Sequence, residues 1–328
     1  YGLLQPSFRP PEQICAIRSL VRQRDMLIRY RSSHIQHMQK ALVLMNVQLT
    51  NVLSDITGMT GMKIIRDIVA GKRDPEVLAR HRDRRCKKSR SEIVKSLEGN
   101  YKREHVFALK QALELYDFYD RQLRACDVEL EAMYNEFEPS DGPGPEPPAR
   151  TTKRRKNQPY FDLARSLYRL TGVDLTQVDG LDTMTVQTSL SEIGIDMSPW
   201  PTVKHFTSWL RLAPNNKVTG GRVKSRGTQP TQNRAATAFR IAAQSLARSD
   251  SALGAFYRRM RARHGAPKAV TATAHKLARI VYFMLKRREP YRDPGADYYE
   301  EQHRARVIRS LQRRAAKLGM QLEPVAAT

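Results

Sequence analysis

The chain has 328 residues, of which 40% are hydrophobic, enough for two or three packed domains and too much for a disordered polymer. Lys and Arg number 57 against 33 acids, for a net charge of +24 and a pI near 10.3, which argues against a small-molecule enzyme and for a polyanionic partner. No apolar run approaches the roughly 20 residues that span a bilayer, and the N-terminus lacks a signal core, so a soluble, cytoplasmic protein with no membrane partner is expected.

Three cysteines, Cys15, Cys86 and Cys126, lie far apart without a C-x-x-C pair, so neither a disulfide framework nor a zinc site is expected. The opening YGLLQPSFRPPE has no methionine, as expected of a stretch from inside a longer protein.

Taken in chain order, apolar residues first recur at Ile14, Ile17, Val21, Ile28, Ile35, Met38, Leu42, Met45 and Leu49, in alternating steps of three and four. That spacing predicts a long heptad helix. Its register puts Arg24 and Arg31 on the apolar seam, where an arginine needs an anionic partner. A second periodic segment, Val106 to Phe137, carries Asp120 and Asp127 on its own seam. Two acids seven apart answer two arginines seven apart, which predicts an antiparallel coiled-coil pairing, within or between chains, with Arg24 facing Asp127 and Arg31 facing Asp120. The competing expectation leaves all four charges in water at the edges of separate helices. Between the helices, Gly58, Gly61 and GKRDPE (71–76) mark turns, and RHRDRRCKKSR (80–90) reads as a basic, exposed segment.

Composition then shifts. Residues 138–159, EPSDGPGPEPPARTTKRRKNQP, are dense in proline, glycine and charge and read as a flexible linker. KRRK within it has the letters of a nuclear localisation signal, but a basic tether beside a nucleic-acid-binding domain is favoured. The expected organisation is a coiled-coil or oligomerisation region over 1–137, the linker over 138–159, and a compact helical domain over 160–328. The fold class is mainly α.

In the last domain, FDLARSLYRLTGVDL, a turn at VDG and LDTMTVQTSLSEIG read as two short helices ending in glycine. Such a pair resembles a helix-hairpin-helix, whose turn amides hold a phosphate, although any helical hairpin with a glycine turn has the same letters. PTVKHFTSWLRLAP reads as a helix burying Phe206, Trp209 and Leu210, with His205 on its polar face. Three alanine-rich helices follow, and a charged helix, 298–318, closes the domain.

From Met197 to Arg288 there is one acid, Asp250, against nineteen Lys or Arg residues. Solubility requires charge but not one sign of it, and helix starts favour acids, so a phosphate backbone is the expected opposing pressure. Aromatics here (Phe239, Phe256, Tyr257, Tyr282, Phe283) fall mostly at core spacing, so contacts to backbone rather than bases are expected. Inside this stretch, Gly220 and Gly221 allow a tight turn that brings amides close to an anion, among Lys217, Arg222, Lys224 and Arg226. The Walker pattern is absent, and on the residues alone Thr219 is an ordinary turn residue.

At SEIGIDMSPWPTVKHFTSWLRLAPNNKVTGG, PTQNRAATAFRIAAQSL and GAFYRRMRARHGAPKAVTATAHKLARIVY the chain resembles the C-terminal domain of insertion-sequence transposases of the one-ten family, the bridge-RNA-guided DNA recombinases. The resemblance extends over essentially the whole chain, with YGLLQPSFRPP and the long helices resembling the family's coiled-coil region. It implies a composite site in which an N-terminal RNase H-like domain supplies four carboxylates for metal ions, and the C-terminal domain supplies a serine that joins a DNA 5′-phosphate.

Two departures stand out. The serine's position is held by Thr219, whose added methyl restricts rotation and crowds in-line attack. The carboxylate domain is expected before Tyr1, and Mg2+ is expected only with it and not on this chain alone. The implied function is DNA transposition or site-specific recombination, with Thr219 as nucleophile and Lys217, Gly220, Gly221, Arg222, Lys224, Arg226 and Arg234 contacting nucleic acid. Implied partners are DNA, a structured guide RNA and further copies of the chain, as a dimer or tetramer, in the bacterial cytoplasm at the nucleoid. The isolated chain is expected to bind without cutting. The alternative is a non-catalytic nucleic-acid-binding remnant or regulator.

Overall fold

The structure is a computed structural model that describes residues 8–138, 155–225 and 227–323. In chain order its helices are α1 (Glu12–Leu44), α2 (Leu49–Val52), α3 (Met59–Val69), α4 (Pro75–Ala79), α5 (Arg90–Ser96), α6 (Arg103–Asn135), α7 (Leu163–Thr171), α8 (Thr183–Ile193), α9 (Val203–Trp209), α10 (Arg234–Ser245), α11 (Ala252–His264), α12 (Ala266–Arg287) and α13 (Gly295–Lys317). Strands β1 (Lys217–Thr219) and β2 (Arg222–Ser225) lie between α9 and α10. The fold is mainly α, as expected. Most of the expected linker, 139–154, lies outside the described residues, and so do Lys153 and Arg154 of KRRK. No described helix is long and apolar enough to cross a membrane. The chain divides into two compact units, Leu20–Leu130 and Tyr1–Ser19 with Glu131–Thr328.

In the first unit α1 and α6 pair antiparallel within one chain. Arg24 Nε lies 2.5 Å from Asp127 Oδ1, and Arg31 Nη1 lies 2.5 Å from Asp120 Oδ1, so ascending positions on one helix meet descending positions on the other. Arg24 and Asp127 are 2% and 1% exposed, and the Arg24 Nη2 group reaches Asp127 Oδ2 at 3.4 Å. Desolvating two charges is tolerated only when each satisfies the other. The seam otherwise buries the expected Val21, Met38, Leu42, Leu109, Leu113, Leu123 and Leu130.

The predicted heptad run to Leu49 is interrupted after Leu44, because Asn46 takes a left-handed φ of 60° and Val47 N donates back to Leu42 O. Met45 and Leu49 remain buried nonetheless, since the chain turns back over the same core of Ile64, Ile65, Ile68, Ile93 and Leu97. The basic 80–90 segment is not featureless. Arg82 donates to the carbonyls of Cys86 and Lys88, and Ser89 opens α5 with a reciprocal capping box to Glu92.

Hydrogen bonds from Lys88 and then from Ser89 hold the Glu92 carboxyl down to about 2. A depressed folded pKa stabilises the fold above the ordinary carboxylate value of about 4.3, and that stabilisation fades as pH falls toward 2. Replacing Lys88 by Ala is expected to raise the Glu92 titration midpoint, followed by side-chain carboxyl NMR; an unmoved midpoint refutes the assignment. For the helix pair, Asp127→Asn is expected to lower unfolding free energy in urea by about 3–5 kcal/mol, whereas Arg24→Leu with Asp127→Leu returns it to within about 1 kcal/mol of the parent. A single substitution costing under about 1 kcal/mol would show that the pair is solvated.

In the second unit four helices start on a side-chain cap, whereas α9, α12 and α13 do not. Asp162, Asp182, Asn233 and Ser251 accept from Arg165, Thr185, Ala236 and Gly254 amides at the starts of α7, α8, α10 and α11. Within the acid-poor stretch the caps are therefore neutral, and α11 obtains its acid from elsewhere: Asp293 folds back to accept from Ala252 N at 3.2 Å. Alanine faces bring α10 against α12 through buried Ala235, Ala242, Ala243, Ala274 and Ala278. The Phe206, Trp200 and Tyr282 rings pack under α9, and Tyr282 Oη donates to Trp200 O at 2.8 Å.

The turn between α7 and α8 has the outline of the expected helical hairpin. Its amides at Thr176, Gln177, Val178 and Leu181 all donate within the turn. Gly180, at φ +89°, faces α10 so closely that a Cβ would sit 2.9 Å from Ala242 O. This turn is built for packing on α10.

Candidate nucleic-acid interface

The sequence NNKVTGGRVKSRG folds as a β-hairpin. Gly220 and Gly221 take φ values of +57° and +73°, the left-handed pair that a two-residue type I′ turn demands. Nothing lies within 4 Å of a Cβ built on either, so conformation and not crowding requires glycine here. Thr219 is paired directly with Arg222, Val218 with Val223 and, after an irregularity, Lys217 with Ser225. Asn215 N donates to Gly227 O at 3.0 Å and closes the base. Arg211, in a left-handed φ of 54°, donates from Nη1 to Pro230 O at 2.5 Å and ties the outgoing chain to the incoming one.

Thr219 is exposed, and its hydroxyl makes no hydrogen bond among the described residues. Directly opposed residues of an antiparallel pair project from the same face, so Thr219 and Arg222 share one face of the hairpin. Lys224 is exposed further along β2, and Lys217 lies in β1. Arg226 lies outside the described residues. Arg234 is not on the hairpin. It opens α10, with Nε 3.9 Å from Glu192 Oε1, and Arg18 approaches the same carboxylate at 3.7 Å. His205 is exposed on α9, its Nδ1 2.8 Å from the Thr202 hydroxyl, as a surface residue.

The base of the hairpin, at Pro214, Gly227 and Thr228, opens onto a cavity of about 1580 Å3 between α11, α12 and α13. Its cations act on one another. Lys276 is held below the ordinary lysine range by burial and then by Arg306 and Arg279, and His275 is held below the usual imidazole range by burial and then by Arg279. Arg306 and Arg309 come from the last helix, beyond the acid-poor stretch, and are not singled out by the sequence. Of the five aromatics expected mostly at core spacing, Phe239, Tyr257 and Tyr282 are buried, and Phe256 and Phe283 line this cavity.

No three His, Cys, Asp or Glu side chains come together among the described residues. The described residues of the hairpin include no carboxylate beside the hydroxyl at its tip. What the arrangement supplies is a projecting hydroxyl, a paired guanidinium and a positive surface.

Gly220→Ala and Gly221→Ala are each expected to strain the turn by about 1–2 kcal/mol. Loss of hydrogen-exchange protection at the Asn215 amide, with an unchanged melting temperature for the rest of the chain, is the expected signature. Full retention of protection would show that the turn is not type I′.

Comparison with curated proteins gives no match. A family model does match, over residues 174–258, roughly a quarter of the chain and the part that runs from the α7–α8 turn through the hairpin into α11. Its description is Transposase IS116/IS110/IS902 family, and this segment of the chain is similar to the transposases of that family.

Proposed function

We propose that the chain acts in transposition by gripping nucleic acid with the basic hairpin and offering Thr219 to a DNA phosphodiester. The observation that carries this reading is the position of Thr219: exposed at a glycine-turned tip, directly across from Arg222, inside a domain matched to a transposase family. Arg222 and Lys224 neutralise phosphates, and the open space around Gly220 and Gly221 lets a sugar-phosphate chain approach the turn amides.

In the reaction proposed, Thr219 Oγ1 forms a bond to phosphorus while the bond from phosphorus to the departing 3′ oxygen breaks, leaving the DNA 5′-phosphate esterified to threonine. The departing oxygen takes a proton. The hydroxyl proton passes to a base from outside the hairpin, since a hydroxyl with a pKa far above neutral is a poor nucleophile unaided. The chain described here therefore binds without cutting until that base is supplied by further domains or chains. A structured guide RNA and self-association through the long helices complete the reading. The non-catalytic remnant differs in a single outcome, covalent capture of DNA.

Binding of duplex DNA is expected to fall steeply with salt, log affinity losing about 0.9 per neutralised phosphate for each unit of log salt. Arg222→Ala and Lys224→Ala should each shallow that slope by about 0.9; affinity that is flat in salt rules the reading out. In an assay with the complete recombination machinery, Thr219→Ser is expected to raise covalent DNA capture and Thr219→Ala to abolish it. Capture that survives Thr219→Ala places the nucleophile elsewhere.

A further inference from the structure

The cavity between α11, α12 and α13 combines three properties. Its lining includes five cations, Lys268, Lys276, Arg279, Arg306 and Arg309, and no carboxylate. Five aromatic rings also line it, among them Phe256, Phe283, Tyr298 and Tyr299. At about 1580 Å3 it exceeds the roughly 300–1,000 Å3 of ordinary small-molecule pockets.

Helix α13 creates this chemistry by segregation. Tyr298, Tyr299, Gln302, Arg306 and Arg309 recur at steps of three and four and face the cavity, whereas Asp297, Glu300 and Glu301 are not among the lining residues. Glu300 is turned aside to Arg259. A helix that carries both signs, yet shows the cavity only one of them, is matched to a polyanion. None of the helix's residues is fully buried, and of its aromatics Tyr299 packs edge-on against Phe256, with ring centroids 6.1 Å apart. Some of those rings are already engaged with cations: Lys276 Nζ lies 4.0 Å from the Phe256 ring centre and 5.5 Å from that of Tyr299, and the Arg287 guanidinium lies 4.8 Å from the Phe283 ring. Tyr298, by contrast, is 52% exposed.

Rings within a cavity reach the faces of bases only when those bases are unstacked, and alternating rings and cations are how single strands are held without sequence preference. We propose that this cavity takes a run of unpaired nucleotides, with bases against Tyr298 and Phe283 and phosphates against Lys268, Arg306 and Arg309. The proposal rests on the reading of the hairpin as a nucleic-acid grip, because Gly227 and Thr228 lead from the hairpin directly into the cavity. A strand displaced near Thr219 would have a place to go.

The test uses the full chain and fluorescence anisotropy with labelled oligonucleotides of about ten residues, oligothymidine and oligouridine, alongside a duplex of mixed sequence. Tyr298→Ala and Phe283→Ala are each expected to weaken single-strand binding on the order of tenfold while duplex affinity changes less than about twofold, and Tyr298→Phe to restore it. Arg309→Gln, on an exposed residue that leaves packing untouched, should shallow the single-strand salt slope by about 0.7. Binding of the deoxy strand, the ribo strand or both supports the proposal and identifies the sugar. Failure to bind either, ring substitutions without effect, or single-strand and duplex affinities falling in parallel overturns it. Failure of the hairpin reading shows separately, as loss of salt-dependent duplex binding.

Discussion

The constraint on which the long helices depend is the mutual desolvation of Arg24 and Asp127. An apolar seam specifies that two helices meet but says little about which turn meets which, because leucines and isoleucines interdigitate almost as well after a slip. A guanidinium 2% exposed does not tolerate a slip: a shift of one heptad would leave only one of Arg24 and Arg31 opposite a carboxylate and set the other against Tyr134 or Leu113, at the full cost of leaving water. The second pair, Arg31 with Asp120, lies one heptad away and repeats the demand, so register and antiparallel direction are fixed together. Polar contacts here contribute specificity at some expense of stability, while the surrounding core of Met38, Leu42, Ile64, Ile65 and Leu109 supplies the stability itself.

The second unit uses charge in the opposite manner. Its cations are left exposed and near one another, around a hairpin and a cavity, and the energetic strain of that crowding is visible in Lys276, whose protonated form is disfavoured both by burial and by two neighbouring arginines. Such crowding of like charges is unfavourable in the free protein and would be relieved by an anion. Neutral caps and the returning carboxylate of Asp293 let the helices form without placing acids of their own on that surface. Fold and function are thereby reconciled: the helices are properly started, and the field stays one-signed.

Much of this was legible in the letters, for physical reasons that differ by element. Heptad spacing in α1 and α6 is enforced by a continuous apolar stripe, and the charges that interrupt it announce their partners by equal spacing. Helices α10, α11 and α12 are punctuated by Asn233, Ser251 and Gly265, so their limits could be anticipated. The short helices α3 to α5 were not, because their stability comes from a core assembled from distant segments. Nor was the division into compact units, which falls near the start of α1 and near the end of α6, where periodicity is uninterrupted.

At the site, the glycine pair marked the turn, yet only the strand register places Thr219 against Arg222. Arg211 gave no signal, since its left-handed backbone and its bond to Pro230 follow from tertiary closure. Arg306 and Arg309 lie past the acid-poor stretch in a helix of mixed charge, and their common face becomes meaningful only once α13 is laid beside α11.

The self-contained build of the hairpin has an evolutionary corollary. Its geometry is set by two glycines and one backbone bond at its base, and the tip touches no core, so exchanging the side chain at position 219 disturbs no packing. A change of residue at 219 therefore calls for no compensating change elsewhere in the domain. The tip is in that sense an interchangeable part on an otherwise committed scaffold.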